Sequence, residues 1–421
     1  MKLEKVYIES NFDDFLQTYK KELESEKPIE LTKLQEETNS TVVVFPQWKD
    51  PWGYDPLKNG KRNPAWYMFE DAKLSNNRLK RGRREKTLLS VGAGNYGIEI
   101  ATIANRQDDK YPLLNLVSSR IPKESLEIFK VLGSDIAMAS PEFEELCPRW
   151  PLIRVARKIS LDLETYSYHF PQHSQSQNPD AQLQIMMPKI FESGYDFDEL
   201  VIALGTGATA GAAEKYKRIK GLKNLKISAI QTPKNSLMQG PSQVKGEDCN
   251  WSPENFSYFL NGKEIYMSSD ALTLSAAVRV FEREGRVFAP STNVNIAKAL
   301  YDGNKEERTI AVISMDNIFK YRDFYLDVLG SEHSEQPGHA PSFRKPIIEE
   351  SPNLEEPLIK LMNEIRYYPS IEERLDIIKA NYPTPDEEGV VYNLPTENVG
   401  MMKEIERVIK KRHKIKTSIV K

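Results

Sequence analysis

The sequence predicts an α/β protein in which a mainly parallel sheet is flanked by helices. Short β-branched or aliphatic runs recur along the chain, and segments with helical spacing lie between several of them. This alternation of strands with helices favours βαβ units and therefore parallel strand pairing. The composition, 39% apolar and 28% charged over 421 residues, is typical of a globular chain with a sizeable core. A chain of this length suits about two or three compact units.

The predicted strands are short apolar runs bounded by polar residues or glycines. They are Thr41–Phe45, Lys86–Val91, Leu113–Ser118, Asp135–Ala139, Leu200–Leu204, Leu225–Ile230, Arg286–Ala289 and Thr309–Ser314. The predicted helices repeat their apolar residues every three or four positions. They are Ile98–Ala104, Lys123–Leu132, Ala210–Ile219, Leu272–Phe281 and Val294–Leu300.

The texture of the sequence divides the chain into four predicted parts. Residues 1–40 are polar and helix-biased, residues 41–330 carry the alternation of strands and helices, and residues 331–346 form a linker that contains prolines. Residues 347–421 are expected to form a C-terminal helical extension that serves packing or oligomerisation. Its predicted helices are Leu354–Arg366, Ile371–Asn381 and Glu397–Lys411.

Charge and cysteine content narrow the classes of protein. Lys and Arg number 58 against 61 Asp and Glu, so a nucleic-acid partner is not expected. The chain shows neither a signal-peptide core nor a run of 18 apolar residues, so no membrane segment is predicted. The two cysteines, Cys147 and Cys249, lie far apart and suit a reducing compartment. We therefore expect a cytoplasmic protein, and no residue spacing indicates a metal site.

Two glycine-rich turns connect a predicted strand to a helix. Ser90–Gly97 reads SVGAGNYG, and Leu204–Gly211 reads LGTGATAG. Glycine allows the backbone to turn sharply, and the N-terminus of the following helix adds partial positive charge, so each turn could bind a phosphate or a carboxylate. The alternative is that the glycines only let strand and helix pack closely.

The first turn also matches a dinucleotide-binding pattern. Gly92, Gly94 and Gly97 fit G-x-G-x-x-G at a strand–helix junction. The acidic residue expected after the next strand is missing, and Arg120 follows there instead, which would favour a 2′-phosphate. An NADP-dependent oxidoreductase is therefore one hypothesis.

The order of several motifs leads to a different hypothesis. After the SVGAGNYG turn come Asn115–Ile136, Gln175–Pro179 (QSQNP), Gly205–Thr209 (GTGAT), Glu284–Asn293 and Ile313–Tyr321. Together, residues from about 41 to 330 resemble the fold type II pyridoxal-phosphate family, which includes cysteine synthase, cystathionine β-synthase and threonine synthase. The resemblance implies a tryptophan synthase β-like fold with two domains built on parallel sheets, the smaller one at about residues 80–160.

The resemblance assigns the cofactor, pyridoxal 5′-phosphate, to particular residues. Asn95 is expected to contact the 3′-oxygen of the ring, and Thr292, with Ser291 as its neighbour, to face the pyridine nitrogen. The alternative for Thr292 is a helix N-cap. Substrate-binding residues are expected at Gly92, Ala93, Gly94 and Gln175. The phosphate is expected on Gly205, Thr206, Gly207, Ala208 and Thr209, because glycines and small residues at a helix start supply several N–H donors.

The position of the Schiff-base lysine departs from the family. Its segment, N-P-T-x-S-F-K-D-R, has its counterpart at Asn63–Lys73, and the lysine position falls on Phe69 or Glu70. Neither side chain can form a Schiff base. Lys73 lies about one helical turn further on, where a long side chain could cover part of the displacement. The alternative for Lys73 is a solvated surface lysine.

Three functional hypotheses follow from these patterns. The first is a pyridoxal-phosphate-dependent lyase or β-substitution enzyme of amino-acid metabolism, cysteine synthase-like and, by the resemblance, homodimeric. A hydroxyl facing the pyridine nitrogen favours it, since the family associates that group with β-elimination and β-replacement. The second is a catalytically lapsed relative that binds a phosphate ligand or a partner protein. The third is the NADP-dependent oxidoreductase.

Overall fold

The computed structural model describes most of the predicted α/β region and most of the C-terminal part. The described residues are 27–47, 57–75, 78–82, 84–92, 94–107, 111–119, 121–144, 150–233, 236, 265–330 and 355–414. Most of the polar N-terminal segment and the predicted linker at 331–346 lie outside them.

The described strands are mostly short, as is usual for α/β proteins. They are β1 (Ile29–Glu30), β2 (Thr41–Pro46), β3 (Lys80–Arg81), β4 (Arg84–Glu85), β5 (Thr87–Val91), β6 (Leu113–Val117), β7 (Asp135–Met138), β8 (Ser167–His169), β9 (Glu199–Ala203), β10 (Lys226–Gln231), β11 (Ile265–Met267), β12 (Thr309–Ser314) and β13 (Val391–Asn393).

Helices of the described residues separate and follow these strands. They are α1 (Thr32–Thr38), α2 (Arg62–Leu74), α3 (Asn95–Asn105), α4 (Lys123–Val131), α5 (Pro141–Glu144), α6 (Trp150–Asp162), α7 (Gln177–Ala181), α8 (Met187–Phe191), α9 (Ala208–Lys220), α10 (Asp270–Glu284), α11 (Pro290–Gly303), α12 (Arg322–Gly330), α13 (Glu355–Arg366), α14 (Ile371–Asn381) and α15 (Asn398–Arg412). A π-helical turn, Gln182–Met186, joins α7 to α8, and a 3₁₀ turn, Ile318–Lys320, precedes α12.

The strands of the described residues form two larger sheets and one hairpin. The first sheet has the order β1-β2-β12-β9-β10-β11, with all neighbours parallel except β1 and β2. The second has the order β13-β7-β6-β5-β8 and is parallel throughout. Strands β3 and β4 pair as the hairpin. The predicted α/β class with parallel sheets is therefore confirmed.

Both faces of each larger sheet are covered, which explains why the strands are almost continuously apolar. In β12, Ile310 and Val312 pack with α10 and α11, whereas Ala311 and Ile313 pack on the opposite side with α8 and α9. This alternation follows from the two-residue period of a strand. In the second sheet, Leu88 belongs to the core that contains α2, α3 and α4, and Leu89 to the core that contains α6 and α15.

The structure corrects the sequence prediction in two places. Residues Arg286–Ala289 are not a strand, because Gly285 ends α10 in the left-handed region (φ 64°) and Pro290 begins α11 only a few residues later. The C-terminal part contains not only helices but also β13, which pairs with β7 at the edge of the second sheet. None of the helices in the described part of the chain combines the length and apolar character needed to cross a bilayer.

Candidate active site

Three parallel strands end in loops that meet between the two sheets. Strand β5 leads into the turn before Asn95, β9 leads into Leu204–Thr209, and β12 leads into residues 315–321. In open parallel sheets ligands bind outside the carboxyl ends of strands, so these loops are the natural place for a site.

The Leu204–Thr209 turn forms the first cup. Gly207 adopts the left-handed region (φ 79°) as the N-cap of α9, and no side chain of the described residues caps the helix. Thr206 instead accepts a hydrogen bond on Oγ1 from the amide of Ala208 at 3.4 Å. The first turn of α9 has no acidic residue. Its amides and helix dipole therefore suit an anion such as a phosphate.

The turn before α3 forms the second cup. Gly94 has φ 127°, a conformation that L side chains rarely adopt, and a Cβ there would come within 3.1 Å of the Ser125 hydroxyl. Gly97 has a different role, since a Cβ at that position would collide with Asn115 and Phe129. Close packing of α3 thus accounts for the third glycine of the G-x-G-x-x-G pattern, as the alternative for this turn anticipated.

Asn95 joins α3 to the end of β12 through a polar network. Its Nδ2 donates to Asp316 Oδ2 at 2.5 Å and to the Tyr321 hydroxyl at 3.3 Å, and its Oδ1 accepts from Lys320 Nζ at 2.7 Å. Lys320 also pairs with Asp316 Oδ1 at 2.9 Å, and both side chains are buried. Burial and the nearby Asp316 carboxylate raise the pKa of Tyr321 well above its usual range, so its hydroxyl is a proton donor here.

Asn178 connects the two cups from the other side. Its Nδ2 donates to the carbonyl of Gln172 at 2.6 Å and to Thr206 Oγ1 at 3.4 Å. Gln172 in turn donates to the carbonyl of Val91, next to the glycine turn of β5. Gln175 lies in this same connecting loop and is half-buried. These side chains therefore link the two glycine-rich turns, and the region that the turns border with the end of β12 is the candidate cleft.

Thr292 lies in the first turn of α11 and is fully buried. Its Oγ1 is 2.8 Å from Ser314 Oγ at the end of β12. The N-cap of α11 is Ala289, so the alternative that Thr292 is an N-cap is wrong. The hydroxyl pair of Thr292 and Ser314 thus lies two residues from Asp316 of the Asn95 network.

The structure does not bring Lys73 to this cleft. Lys73 is exposed, and its Nζ donates to Gln107 Oε1 at 2.8 Å. Gln107 follows the C-terminus of α3, whereas Asn95 begins that helix about 16 Å away along its axis. Phe69 is fully buried against Phe170, and burial raises the pKa of the half-buried Glu70 against the opposing charge of Lys73. Three parts of the sequence prediction lie outside the described residues: Ala93, Arg120 and the predicted N-terminal helix.

A segment that sequence reasoning missed, Lys58–Arg62, contacts both the end of β12 and α3. The amide of Gly60 donates to the carbonyl of Met315 at 2.6 Å, directly after β12. Asn59 donates to the Glu99 carboxylate from its backbone and its side chain, at 3.0 and 2.8 Å. Half-buried Lys61 follows, and its amide donates to Asn59 Oδ1 at 2.8 Å.

The signal that could have identified this segment is Pro64. Proline is tolerated in the first turn of a helix, and here Pro64 is the third residue of α2. A lysine at the N-terminus of this helix therefore precedes the Asn63-Pro64 pair. Both alignments made from the sequence placed the lysine position after that pair, in the middle of α2.

Comparison with known proteins decides the family. Residues 55–316 match the family model described as "Pyridoxal-phosphate dependent enzyme". The chain belongs to this family. Among solved structures, the chain is similar to a lysine-to-alanine variant of O-ureido-L-serine synthase with O-ureido-L-serine bound (18% identity, TM-score 0.60, covering 74% of this chain and 94% of that one). It is also similar to the O-acetylserine-dependent cystathionine β-synthase from Helicobacter pylori (17% identity, TM-score 0.58, covering 72% and 95%). No curated protein matches the sequence.

Family membership confirms the predicted fold type II architecture and makes pyridoxal phosphate the cofactor. The donors present suit this molecule. An uncapped helix start at Gly207 offers amides to a phosphate, and the hydroxyl pair of Thr292 and Ser314 lies two residues from Asp316, which accepts from the side-chain amide of Asn95. No corresponding support exists for the NADP hypothesis, since Gly97 is explained by packing.

Proposed function

We propose that the protein is a pyridoxal-phosphate-dependent lyase or β-substitution enzyme that acts on an amino acid. The buried hydroxyl pair of Thr292 and Ser314, 2.8 Å apart beside the cleft, carries this proposal. A neutral hydroxyl facing the pyridine nitrogen leaves the ring less protonated than a carboxylate would, which suits elimination or replacement at the β-carbon. The similar solved structures are named for serine derivatives, which is consistent with a substrate of that class.

Each candidate residue has a distinct role in this proposal. The amides of Gly205, Thr206, Gly207, Ala208 and Thr209 would hold the phosphate, and Asn95 would contact the 3′-oxygen. Pyridoxal phosphate, when bound, supplies an electron sink for the charge left on a substrate that loses its α-proton. Residues Gly92, Ala93 and Gly94, with Gln175, would border the substrate carboxylate, which backbone amides can bind without a hydroxyl side chain.

Lys61 is the residue that we propose to carry the cofactor and to move the α-proton. Gly60, bonded to Met315, fixes the backbone beside the hydroxyl pair, and Glu99 holds Asn59 on the side of α3. The backbone of Lys61 therefore starts beside the end of β12 and α3. Lys320 is also buried there, and its amine pairs with Asp316 and donates to Asn95, whereas Lys73 is remote.

Peptide mapping after borohydride reduction tests both parts of the proposal. The purified protein is incubated with pyridoxal phosphate, reduced, digested and analysed by mass spectrometry for a pyridoxyl group. We expect a yellow protein before reduction and a single modified lysine, Lys61. Modification of Lys73 or Lys320 would contradict the choice of lysine. A colourless protein that still binds inorganic phosphate would support the lapsed relative instead.

Two variants provide the matched controls. Lys61→Ala should abolish the covalent adduct and the yellow colour of the protein, whereas Lys73→Ala should leave both unchanged. Single-turnover assays in deuterated solvent, with O-acylated serine or with serine, then measure whether the α-proton of the amino acid is exchanged for deuterium. We also expect a homodimer from the family resemblance, and light scattering coupled to size exclusion measures its mass.

A further inference from the structure

The C-terminal part of the chain sends one arginine into the core beside the candidate site. Arg374, in α14 (Ile371–Asn381), is fully buried. Its Nη1 donates to the carbonyl of Phe319 at 2.6 Å, and its Nη2 pairs with Asp323 Oδ2 at 2.6 Å. The Glu124 carboxylate lies 3.8 Å from Nη1. A guanidinium is costly to bury, so these partners must hold it in a defined position.

The carbonyl that Arg374 holds belongs to the turn that reaches Asn95. Phe319 is the middle residue of the 3₁₀ turn Ile318–Lys320. The next residue, Lys320, donates to Asn95 Oδ1 and pairs with Asp316. One continuous set of contacts therefore runs from Arg374 through the Phe319 carbonyl and Lys320 to Asn95.

Arg374 also contacts groups that belong to different sheets. Asp323 begins α12, which packs with the helices of the first sheet, and Glu124 begins α4, which packs with the second. The amide of Asp323 donates to Glu124 Oε1 at 3.2 Å, which is a direct contact between α4 and α12. Arg374 lies against both of these residues. Arg374 thus holds the turn that carries Lys320 at the contact between α4 and α12.

We propose that Arg374 is a positioning residue for the cofactor site: it fixes the 318–320 turn so that Lys320 holds the side chain of Asn95 in its place at the start of α3. The proposal rests on the proposed function insofar as Asn95 contacts pyridoxal phosphate. It gives the C-terminal segment a role in cofactor binding in addition to packing.

Hydrogen exchange of the protein without cofactor tests the structural half of the proposal. The amide of Tyr321 donates to the Ile318 carbonyl and reports the closed turn. In Arg374→Met we expect this amide to exchange about tenfold faster, with Arg374→Lys in between. The control is Arg407→Met, which removes an exposed arginine paired with Glu404 in the same C-terminal segment and should change nothing at Tyr321. Unchanged exchange in Arg374→Met would overturn the proposal whether or not the cofactor binds.

Titration with pyridoxal phosphate, followed by absorbance, tests the functional half. We expect Arg374→Met to weaken binding about tenfold, a typical coupling between separate sites, and Arg374→Lys to restore part of it. In an Asn95→Ala background the same replacement should have almost no further effect, because the two residues act in one chain of contacts. Full additivity would mean a general structural role and would overturn the proposal.

The outcomes separate the two proposals. If the unmodified protein binds no pyridoxal phosphate, the proposed function fails, while the exchange measurement still decides the link from Arg374 to the turn. If Arg374→Met does not fold, Asp323→Asn removes the charge of its partner with little change in shape, and we expect the same two effects from it.

Discussion

Replacing Glu99 by glutamine should destabilise the protein far more than an ordinary ion-pair mutation. Glu99 is fully buried, and its Oε2 pairs with Arg62 Nε at 2.8 Å, with the two side chains exposed by 0% and 4%. Its Oε1 also accepts from Asn59. Neutralising the carboxylate breaks the ion pair with the buried Arg62 guanidinium, and breaking a buried pair by removing one charge costs about 3–5 kcal/mol.

The chain offers a matched control for this prediction. Lys130 and Glu127 are also 2.8 Å apart, but their side chains are 29% and 30% exposed. Glu127→Gln should therefore cost less than about 1 kcal/mol. The two variants remove ion pairs of equal length, so the difference between them reports burial together with the Asn59 hydrogen bonds.

Urea denaturation followed by circular dichroism measures both variants. The combination Glu99→Leu with Arg62→Met removes both buried charges and should recover a large part of the stability lost in Glu99→Gln, since apolar replacements of a buried pair are often neutral. Equal losses for Glu99→Gln and Glu127→Gln would refute the reasoning. Glu99→Gln should also weaken attachment of the cofactor, because Asn59 holds the segment that carries Lys61.

Three further predictions concern pH and glycine. Burial lowers the pKa of His169 to about 3, below its usual value. Between these two pKa values the unfolded chain binds more protons than the folded one, so the free energy of unfolding should fall by about 2 kcal/mol from pH 7 to pH 5. His169→Gln should abolish this loss in pH-dependent melts. Gly97→Ala should cost about 1–3 kcal/mol in the same melts, because a Cβ would meet Asn115 and Phe129; an unchanged midpoint would contradict the packing. Gly207→Ala should weaken binding of inorganic phosphate, measured by calorimetry, because its φ of 79° disfavours a side chain at the start of α9; undiminished affinity would argue against the first cup.

Local patterns were sufficient for the elements that frame the cleft. The strand predicted at Thr309–Ser314 is observed with the same bounds, and Ile371–Asn381 is observed as the predicted helix. Both glycine-rich turns lie at carboxyl ends of parallel strands, so their common cleft followed from topology. Periodicity and the rules of parallel sheets carry this information within a few neighbouring residues.

Three-residue strands gave no usable signal. Ser167–His169 and Val391–Asn393 are too short to show a two-residue period, and the second pairs with β7 across more than 250 residues. The wrong strand at Arg286–Ala289 has the opposite cause: an apolar run was taken as sufficient, although Gly285 and Pro290 bound it as a connection between helices.

The site itself was only partly predictable. Asn95, Thr292 and the Gly205–Thr209 turn were identified from motifs and lie around one cleft, but their roles remain predictions. The proposed Lys61 was not considered, because one register was anchored on Asn63-Pro64 and the other on the F-K-D core, whereas Pro64 belongs to the first turn of α2. The link from Arg374 to Asn95 passes through backbone and side-chain contacts between distant parts of the chain, and such contacts leave no trace in local sequence.

A crystal structure of the protein with pyridoxal phosphate would test the central claim most directly. We expect the phosphate on the amides of Gly205–Thr209, the ring between Asn95 and Thr292, and continuous density from the cofactor to Lys61. A phosphate bound elsewhere, or a ring that contacts neither Asn95 nor Thr292, would contradict it.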